Sequence, residues 1–352
     1  MSRRCATPRD SLRRGLRSAT PSAGFTLVEL MVAMLLGLIV IGGVVSVFLA
    51  NQQSYRTNEA LSEVQDGSRI AFEMMAQDIR NAGLTGCDSS DTGNVANVLR
   101  NSPAGGGSKW WANWNNVLIG YGGTGDPAVT VGTAAANKVA GTESLQLIGA
   151  TNAGLSVSAH DTGAMQFTLG ETGSDLTNVD LKPGDAMIVC DPQFSAIFQS
   201  TNYNGTARTV AYNTLTSTPG NYSNILASTG IPYAFGTNSL IAKLTAVDWY
   251  VGNTPPPVVG GRSLYRVRLI NNAGSLDTTP EEMVRNVTNM SIAYLQSGDT
   301  SFLPVAQVTN WGAVSAVQVT LKLQSTDQFA GTNVKPLTRE FTATTTVRNR
   351  VN

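Results

Sequence analysis

Histidine is almost absent from this 352-residue chain, with His160 standing alone. That excludes a His-rich metal centre and argues against a histidine-based catalytic triad. Charge is also scarce: Asp, Glu, Lys and Arg together make up 14%, and the formal net charge is zero. A nucleic-acid binder would normally carry a basic excess, so no such partner is expected. No nucleophile is accompanied by a visible base and oxyanion partner, so no enzyme class emerges. Gly105-Gly106-Gly107-Ser108-Lys109 lacks the Gly-Lys-Ser/Thr ending of a phosphate loop and reads as a turn. Residues 88–94 contain Asp88 and Asp91 but not the order of acids found in an EF-hand, so neither a metal nor any other cofactor is expected. Disorder is excluded too, because 42% of residues are apolar and the length suffices for two domains with a sizeable core.

What charge there is falls unevenly. Residues 1–24 hold six arginines against one acid, Asp10, which leaves 18 basic and 23 acidic residues in the remainder. A basic head therefore precedes a mildly acidic body. Residues 25–50, FTLVELMVAMLLGLIVIGGVVSVFLA, form an apolar run with no proline and one charge, Glu29. About 20 apolar residues suffice to cross a bilayer as a helix. Basic residues before the run and none just after it predict a cytoplasmic N-terminus and an exported body. A secretory signal peptide would have a shorter apolar region with its cleavage site after it, whereas here the small residues Ala23 and Gly24 precede the run. An ordinary signal anchor accounts for everything except Glu29. A carboxylate four residues into a membrane helix is costly and needs a partner or a function.

The string Gly24-Phe25-Thr26-Leu27-Val28-Glu29-Leu30-Met31-Val32-Ala33 resembles the type IV prepilin signature. In that family a membrane peptidase cuts after the glycine and methylates the new N-terminal amine. The resemblance implies cleavage between Gly24 and Phe25, methylation of Phe25, and an assembly role for Glu29 as the family's fifth-position glutamate. Two departures stand out: the 24-residue leader is long for a type IV pilin, and Ser46 occupies the place where many major pilins have a kinking proline.

Helical signals continue without proline to residue 82. Leu61, Val64, Ala71, Met75 and Ile79 fall at helical spacing, with Ser68 in the gap, while Glu59, Glu63, Asp66, Glu73 and Asp78 are placed for solvent or partners. Gly83 suits a left-handed cap at the helix end. Beyond it the period changes to two, most clearly at Val317-Gln318-Val319-Thr320-Leu321-Lys322-Leu323. Further strands are expected at 144–149, 165–169, 186–190, 206–212, 240–251, 263–270, 292–296 and 340–348. The fold class is therefore α+β and type IV pilin-like: a long N-terminal membrane-spanning helix carrying a β-rich, mainly antiparallel globular domain. The expected division is a cleaved leader at 1–24, a helix at 25–82 (transmembrane over 25–50, amphipathic over 51–82) and a body at 83–352.

A narrower resemblance joins the ends of the body. Ala82-Gly83-Leu84-Thr85-Gly86-Cys87, the Trp311–Leu321 segment and Thr346-Val347-Arg348-Asn349-Arg350 are similar to matching segments of PilW-type minor pilins. That likeness implies a non-catalytic role in priming and assembling type IV pili, in support of adhesion, twitching motility or DNA uptake. Its partners would be the prepilin peptidase, the inner-membrane assembly machinery, other minor pilins, the major pilin and, before assembly, inner-membrane lipid. A minor pseudopilin of type II secretion and a pilus tip adhesin are the alternatives. Cys5 would leave with the leader, so the mature chain keeps Cys87 and Cys190. Export favours a disulfide between them, with two buried thiols as the other outcome. Trp110, Trp111 and Trp114 read as core or loop anchors; the adhesin alternative makes them a partner surface. His160 beside Asp161 reads as a surface pair.

Overall fold

The computed structural model describes residues 24–87, 95–151, 154–170, 180–214, 220–237, 239–255, 261–331 and 335–350. The leader before Gly24 and the Asp88/Asp91 stretch lie outside them. Contacts divide the chain into two compact units, Met1–Tyr55 and Arg56–Asn352.

Helix α1 (Leu27–Asn81) runs for 55 residues. Its second half buries Ala60, Val64, Ser68, Ala71, Met75 and Ile79, a stripe three or four residues apart. Leu61 is only half-buried and packs beside Ala60, Ala330 and Leu337. The strands that follow are β1 (Val95–Asn97), β2 (Leu118–Tyr121), β3 (Ser144–Ala150), β4 (Leu155–Asp161), β5 (Gln166–Leu169), β6 (Ala186–Cys190), β7 (Ser195–Gln199) and β8 (Asn202–Asn204). After them come β9 (Thr209–Ala211), β10 (Leu240–Asn253), β11 (Arg262–Asn272), β12 (Ser275–Arg285), β13 (Val287–Gln296), β14 (Leu303–Pro304), β15 (Val314–Gln324) and β16 (Thr338–Thr346). Pairing is antiparallel except between β1 and β7.

Two sheets result. In the larger, of 12 strands, β10 is the pivot. Its first residues, from Leu240, pair with β4 and β6, and its remainder pairs with β3 and β11. The smaller sheet runs β14-β13-β15-β16. The stripe of α1 from Val64 to Ile79 packs against apolar residues of both sheets, among them Leu145, Trp249 and Leu264 of the larger and Val319, Leu321 and Leu323 of the smaller. Burying each such side chain contributes about 1.5–3 kcal/mol.

The strand expected at 186–190 is β6, but its neighbour β7 was not expected: both are buried on both faces and show continuous apolar or small-residue runs in place of alternation. β12 contains Pro280 and four charged residues, yet it forms because it pairs only with β11 and lies at a sheet edge, where a missing N–H is tolerated. Asp78, placed by the helical period for solvent or partners, is half-buried and has partners: Trp249 Nε1 donates to its Oδ2 at 2.9 Å, and the Arg266 guanidinium lies 3.8 Å away. Burial pushes its carboxyl up, partly offset by Arg266 and Trp249. His160 is likewise half-buried rather than a surface partner of Asp161. Its ring stacks on Phe167 with centroids 4.1 Å apart, its Nδ1 accepts the Phe235 N–H at 3.1 Å, and Nε2 therefore carries the proton toward Tyr212 Oη, 2.6 Å away. Burial pulls its pKa down to about 4.

The end of α1 is fastened to the body at three places. Gly83, at φ +73°, turns the chain so that its N–H donates to Ile148 O at 2.7 Å. Gly149 must be glycine here, since a Cβ would sit 2.0 Å from Asn81 O. Asn349 Nδ2 donates to Gly83 O at 2.9 Å, which ties the last turn of the chain to the helix end. Finally, Cys87 and Cys190 are bonded, sulfur to sulfur, across a sequence separation of 103. In a chain-entropy account, closing a loop of that length stabilises by about 4–5 kcal/mol, with a practical range of about 2–5 kcal/mol. The double variant Cys87→Ser/Cys190→Ser is expected to lose stability in that range. A denaturant melt of oxidised wild type and variant measures it, and coincident curves would contradict the expectation.

Candidate functional site

The N-terminal end of α1 is built by local hydrogen bonds. The Glu29 N–H donates to Thr26 Oγ1 at 3.2 Å and the Leu30 N–H to Thr26 O at 3.1 Å, so Thr26 caps the helix. Glu29 thus lies on the first turn, where the helix dipole favours negative charge. Phe25 is 84% exposed, and every residue from Gly24 to Ala50 is exposed. After Glu29 no charged residue occurs before Arg56. The most apolar 18-residue window has a mean hydropathy of 2.8 with none of it buried, long and apolar enough to cross a membrane. Gly37, Gly42 and Gly43 have nothing within 4 Å of where a Cβ would stand, so packing within the chain does not require them.

The tryptophans do not form the exposed surface that the adhesin alternative needs. Trp111 is 2% exposed and Trp114 6%, and Trp110 is half-buried. Two short 3-10 turns, Trp110–Ala112 and Trp114–Asn116, fold this segment onto Leu99, Ile148, Ile188 and Ile197. Trp110 also packs beside Tyr250 and Tyr265. Their apolar area is spent in the core, as the reading of Trp110, Trp111 and Trp114 as core or loop anchors has it, and not on the partner surface of the adhesin alternative.

A second cluster went unseen in the sequence. Lys138, fully buried, donates from Nζ to Gly122 O and to Ser144 Oγ, both at 2.9 Å. Ser144 Oγ donates to Asp126 Oδ2. Asp126 Oδ1 accepts from Gln146 Nε2 and the Ala128 N–H, each at 2.9 Å. Asp248, opposite Gln146 in the β10–β3 register, is fully buried, and its carboxyl meets that of Asp126, a hydrogen bond that exists only when one of the two holds a proton. Burial, and then repulsion from Asp126, hold its pKa well above the usual range; Lys138 offsets this only in part. Asp248 therefore holds its proton more tightly than a free carboxyl does, and burial pulls the Lys138 ammonium down. With Lys138 and Asp248 shut off from solvent, no substrate reaches them; the network braces the 122–142 loop over the sheet. The one sequence signal for it is an acid inside the apolar run Ala246-Val247-Asp248-Trp249-Tyr250-Val251.

Comparison with known proteins bears on the N-terminus. Residues 20–45 match the family model described as the prokaryotic N-terminal methylation motif. No curated protein and no solved structure matches the chain. That motif, together with the long apolar helix that follows it, gives the chain a type IV prepilin-like N-terminus. The motif implies processing by a prepilin peptidase, assembly with pilus machinery and anchoring through a single membrane span.

The acid pair gives a pH dependence with a definite sign. Asp248 binds its proton more tightly folded than unfolded, so its contribution is full below the unfolded value near 3.9 and is lost as pH rises through the folded value. His160 acts oppositely: its depressed value adds stability as pH rises from about 4 to the unfolded value near 6.5, and nothing further above that. Asp248→Asn keeps the shape without the titration. The stability of the variant relative to wild type is expected to climb with pH, by up to about 1.4 kcal/mol per pH unit while Asp248 remains protonated. Thermal melts at pH 5, 6, 7 and 8 measure it; a difference independent of pH would contradict the assignment.

Proposed function

We propose that this protein is a minor pilin of PilW type that takes part in priming and assembling type IV pili. Residues 1–24 are the leader, residues 25–82 the helix and residues 83–352 the body. The prepilin peptidase cuts between Gly24 and Phe25 and methylates the Phe25 amine. Before assembly the chain lies in the inner membrane with its N-terminus cytoplasmic and its body periplasmic. It then enters the pilus beside other minor pilins and the major pilin. Its role is structural, and through the pilus it supports adhesion, twitching motility or DNA uptake.

One observation carries this reading: an exposed apolar half-helix whose sole charge is Glu29, one turn from the new amine. In a low-dielectric bundle of like helices, an ammonium and a carboxylate attract strongly, and either left unpaired is costly. Glu29 then acts as a register device that accepts the amine of a neighbouring subunit. The PilW-type assignment draws on the Ala82–Cys87 turn, the late strand β15 and the closing Thr346–Arg350 segment.

Glu29→Gln and Glu29→Ala are expected to insert in the membrane normally but to be recovered from sheared pili at a small fraction of the wild-type amount. Immunoblots of membrane and pilus fractions read both quantities, and normal incorporation of both variants would overturn the register role. A deletion strain should lose surface pili while exoprotein secretion continues; the reverse outcome assigns the chain to type II secretion as a pseudopilin.

A further inference from the structure

The end strand of a sheet presents a row of unpaired N–H and C=O groups, and one left open invites another strand onto it. Apart from β16, the end strands of the two sheets are short or guarded. β1, β2, β8 and β14 have four residues or fewer. β12 is longer, but Pro280 takes an N–H from it, and Asp277, Glu281, Glu282 and Arg285 set charge along it. β16 differs from all of these. It is nine residues long, pairs only with β15, contains no proline or glycine, and carries no charge from Phe341 to Thr346.

The backbone of β16 faces two ways in alternation. At its two ends the Ser325 N–H donates to Leu337 O and the Val347 N–H to Ser315 O, both at 2.8 Å, so odd-numbered residues turn their N–H and C=O toward β15. Thr338, Glu340, Thr342, Thr344 and Thr346 turn theirs outward. Arg339 Nη1 donates to the Thr338 carbonyl at 3.0 Å. The outward groups of Glu340, Thr342, Thr344 and Thr346 bond to nothing among the described residues. Side chains meanwhile fix the strand in place. Thr342 Oγ1 and Thr320 Oγ1 lie 2.9 Å apart, Gln318 Nε2 donates to Thr344 Oγ1 at 3.3 Å, and Lys322 Nζ lies 3.3 Å from Glu340 Oε1. The open edge is therefore ordered before any partner arrives, which removes that part of the cost of binding.

We propose that β16 accepts an added strand from a different protein chain, an extended segment that alternates apolar with Ser or Thr residues and is uncharged opposite Phe341 to Thr346. Its N–H and C=O groups pair with those of Glu340, Thr342, Thr344 and Thr346. Its apolar side chains lie beside the half-buried Phe341 and Ala343, on the face that α1 covers, and its hydroxyls beside Thr342 and Thr344 on the exposed face. A second copy of this chain fits the edge badly. Antiparallel addition of its β16 needs a two-fold axis normal to the sheet, which points the two α1 helices in opposite directions, and one membrane could not hold both. Parallel addition swaps the faces and sets the Thr row of one copy beside the Phe341 row of the other. The site lies within the smaller sheet, and binding to it is measured without pili, so it stands or falls apart from the minor-pilin reading.

The probe is the peptide VSAVQVTLKLQ, the sequence of β15, whose side chains already pair with those of β16 on its inner edge. Fluorescence anisotropy of the labelled peptide with the full chain in detergent micelles is expected to show saturable binding. N-methylation at the positions of Gln318, Thr320 and Lys322 removes the N–H groups that face β16 in that register and is expected to abolish binding. Methyl groups at Val317, Val319 and Leu321 face away, and that peptide is expected to bind like the parent. In the protein, Thr342→Pro removes one outward N–H and leaves the β15 ladder intact. It is expected to weaken binding about fivefold to tenfold, the effect of one lost hydrogen bond, while Thr342→Ala keeps the affinity. Thermal melts show whether the variants fold; if Thr342→Pro does not, the two methylated peptides decide by themselves. Absence of saturable binding, equal affinity of the two methylated peptides, or unchanged affinity in folded Thr342→Pro overturns the proposal. A dimer in analytical ultracentrifugation that Thr342→Pro dissociates does so as well, and assigns the edge to a second copy.

Discussion

One helix has to satisfy two different surroundings, and that constraint organises the molecule. From Ala60 onward α1 turns a stripe of small and apolar residues onto two sheets, and the core cluster that joins those sheets forms around it. From Leu27 to Ala50 the same helix finds no apolar cover among the described residues. Exposing that many Leu, Ile, Val, Met and Phe side chains to water is unfavourable by tens of kcal/mol at about 25 cal/mol per Å². The first half therefore needs an environment from outside, lipid or the matching half of another subunit. In the proposed assembly Glu29 would distinguish those two environments, because hydrocarbon gives a carboxylate no partner and an adjoining amine does.

How much of this was legible in the sequence follows from the physics of each element. The N-terminal motif was plain because charge, apolarity and helical period coincide over a single stretch. The burial stripe was readable because Val64, Ser68, Ala71, Met75 and Ile79 keep one face, and Gly83 marked the stop. Strands half-covered on one face, such as β15, showed their alternation. Of the strands covered on both faces, β6 was readable as an apolar run, β7, with Ser195 and Gln199 at its ends, was not, and β12 was masked by Pro280 until its edge position was known. Tryptophan carried the least information: its large apolar area makes Trp110, Trp111 and Trp114 equally suited to a core or to a binding face, and only the backbone turns around them decide.

Two polar features depend on pairings distant in sequence and were invisible beforehand. His160 looks like half of a surface pair with Asp161, but β4 carries it between Phe167, Tyr212 and Phe235. Lys138, Asp126 and Asp248 come from a loop and from the pivot strand, and only the β3–β10 register brings Gln146 and Asp248 opposite each other. Such a network costs desolvation unless its members are satisfied. Lys138 and Asp126 achieve that through Ser144, Gln146 and backbone, and Asp248 through keeping its proton.

The bond between Cys87 and Cys190 also decides how a mechanical load travels. Tension applied to residues 25–50 enters the body along α1 and arrives at Cys87 six residues past the helix end. From there a covalent short-circuit carries it straight into β6, which pairs with the pivot strand β10. Strands β1 to β5, all of which lie between the two sulfur atoms in sequence, are spared from being drawn out, and the unit that resists is the interior of the larger sheet rather than its margin.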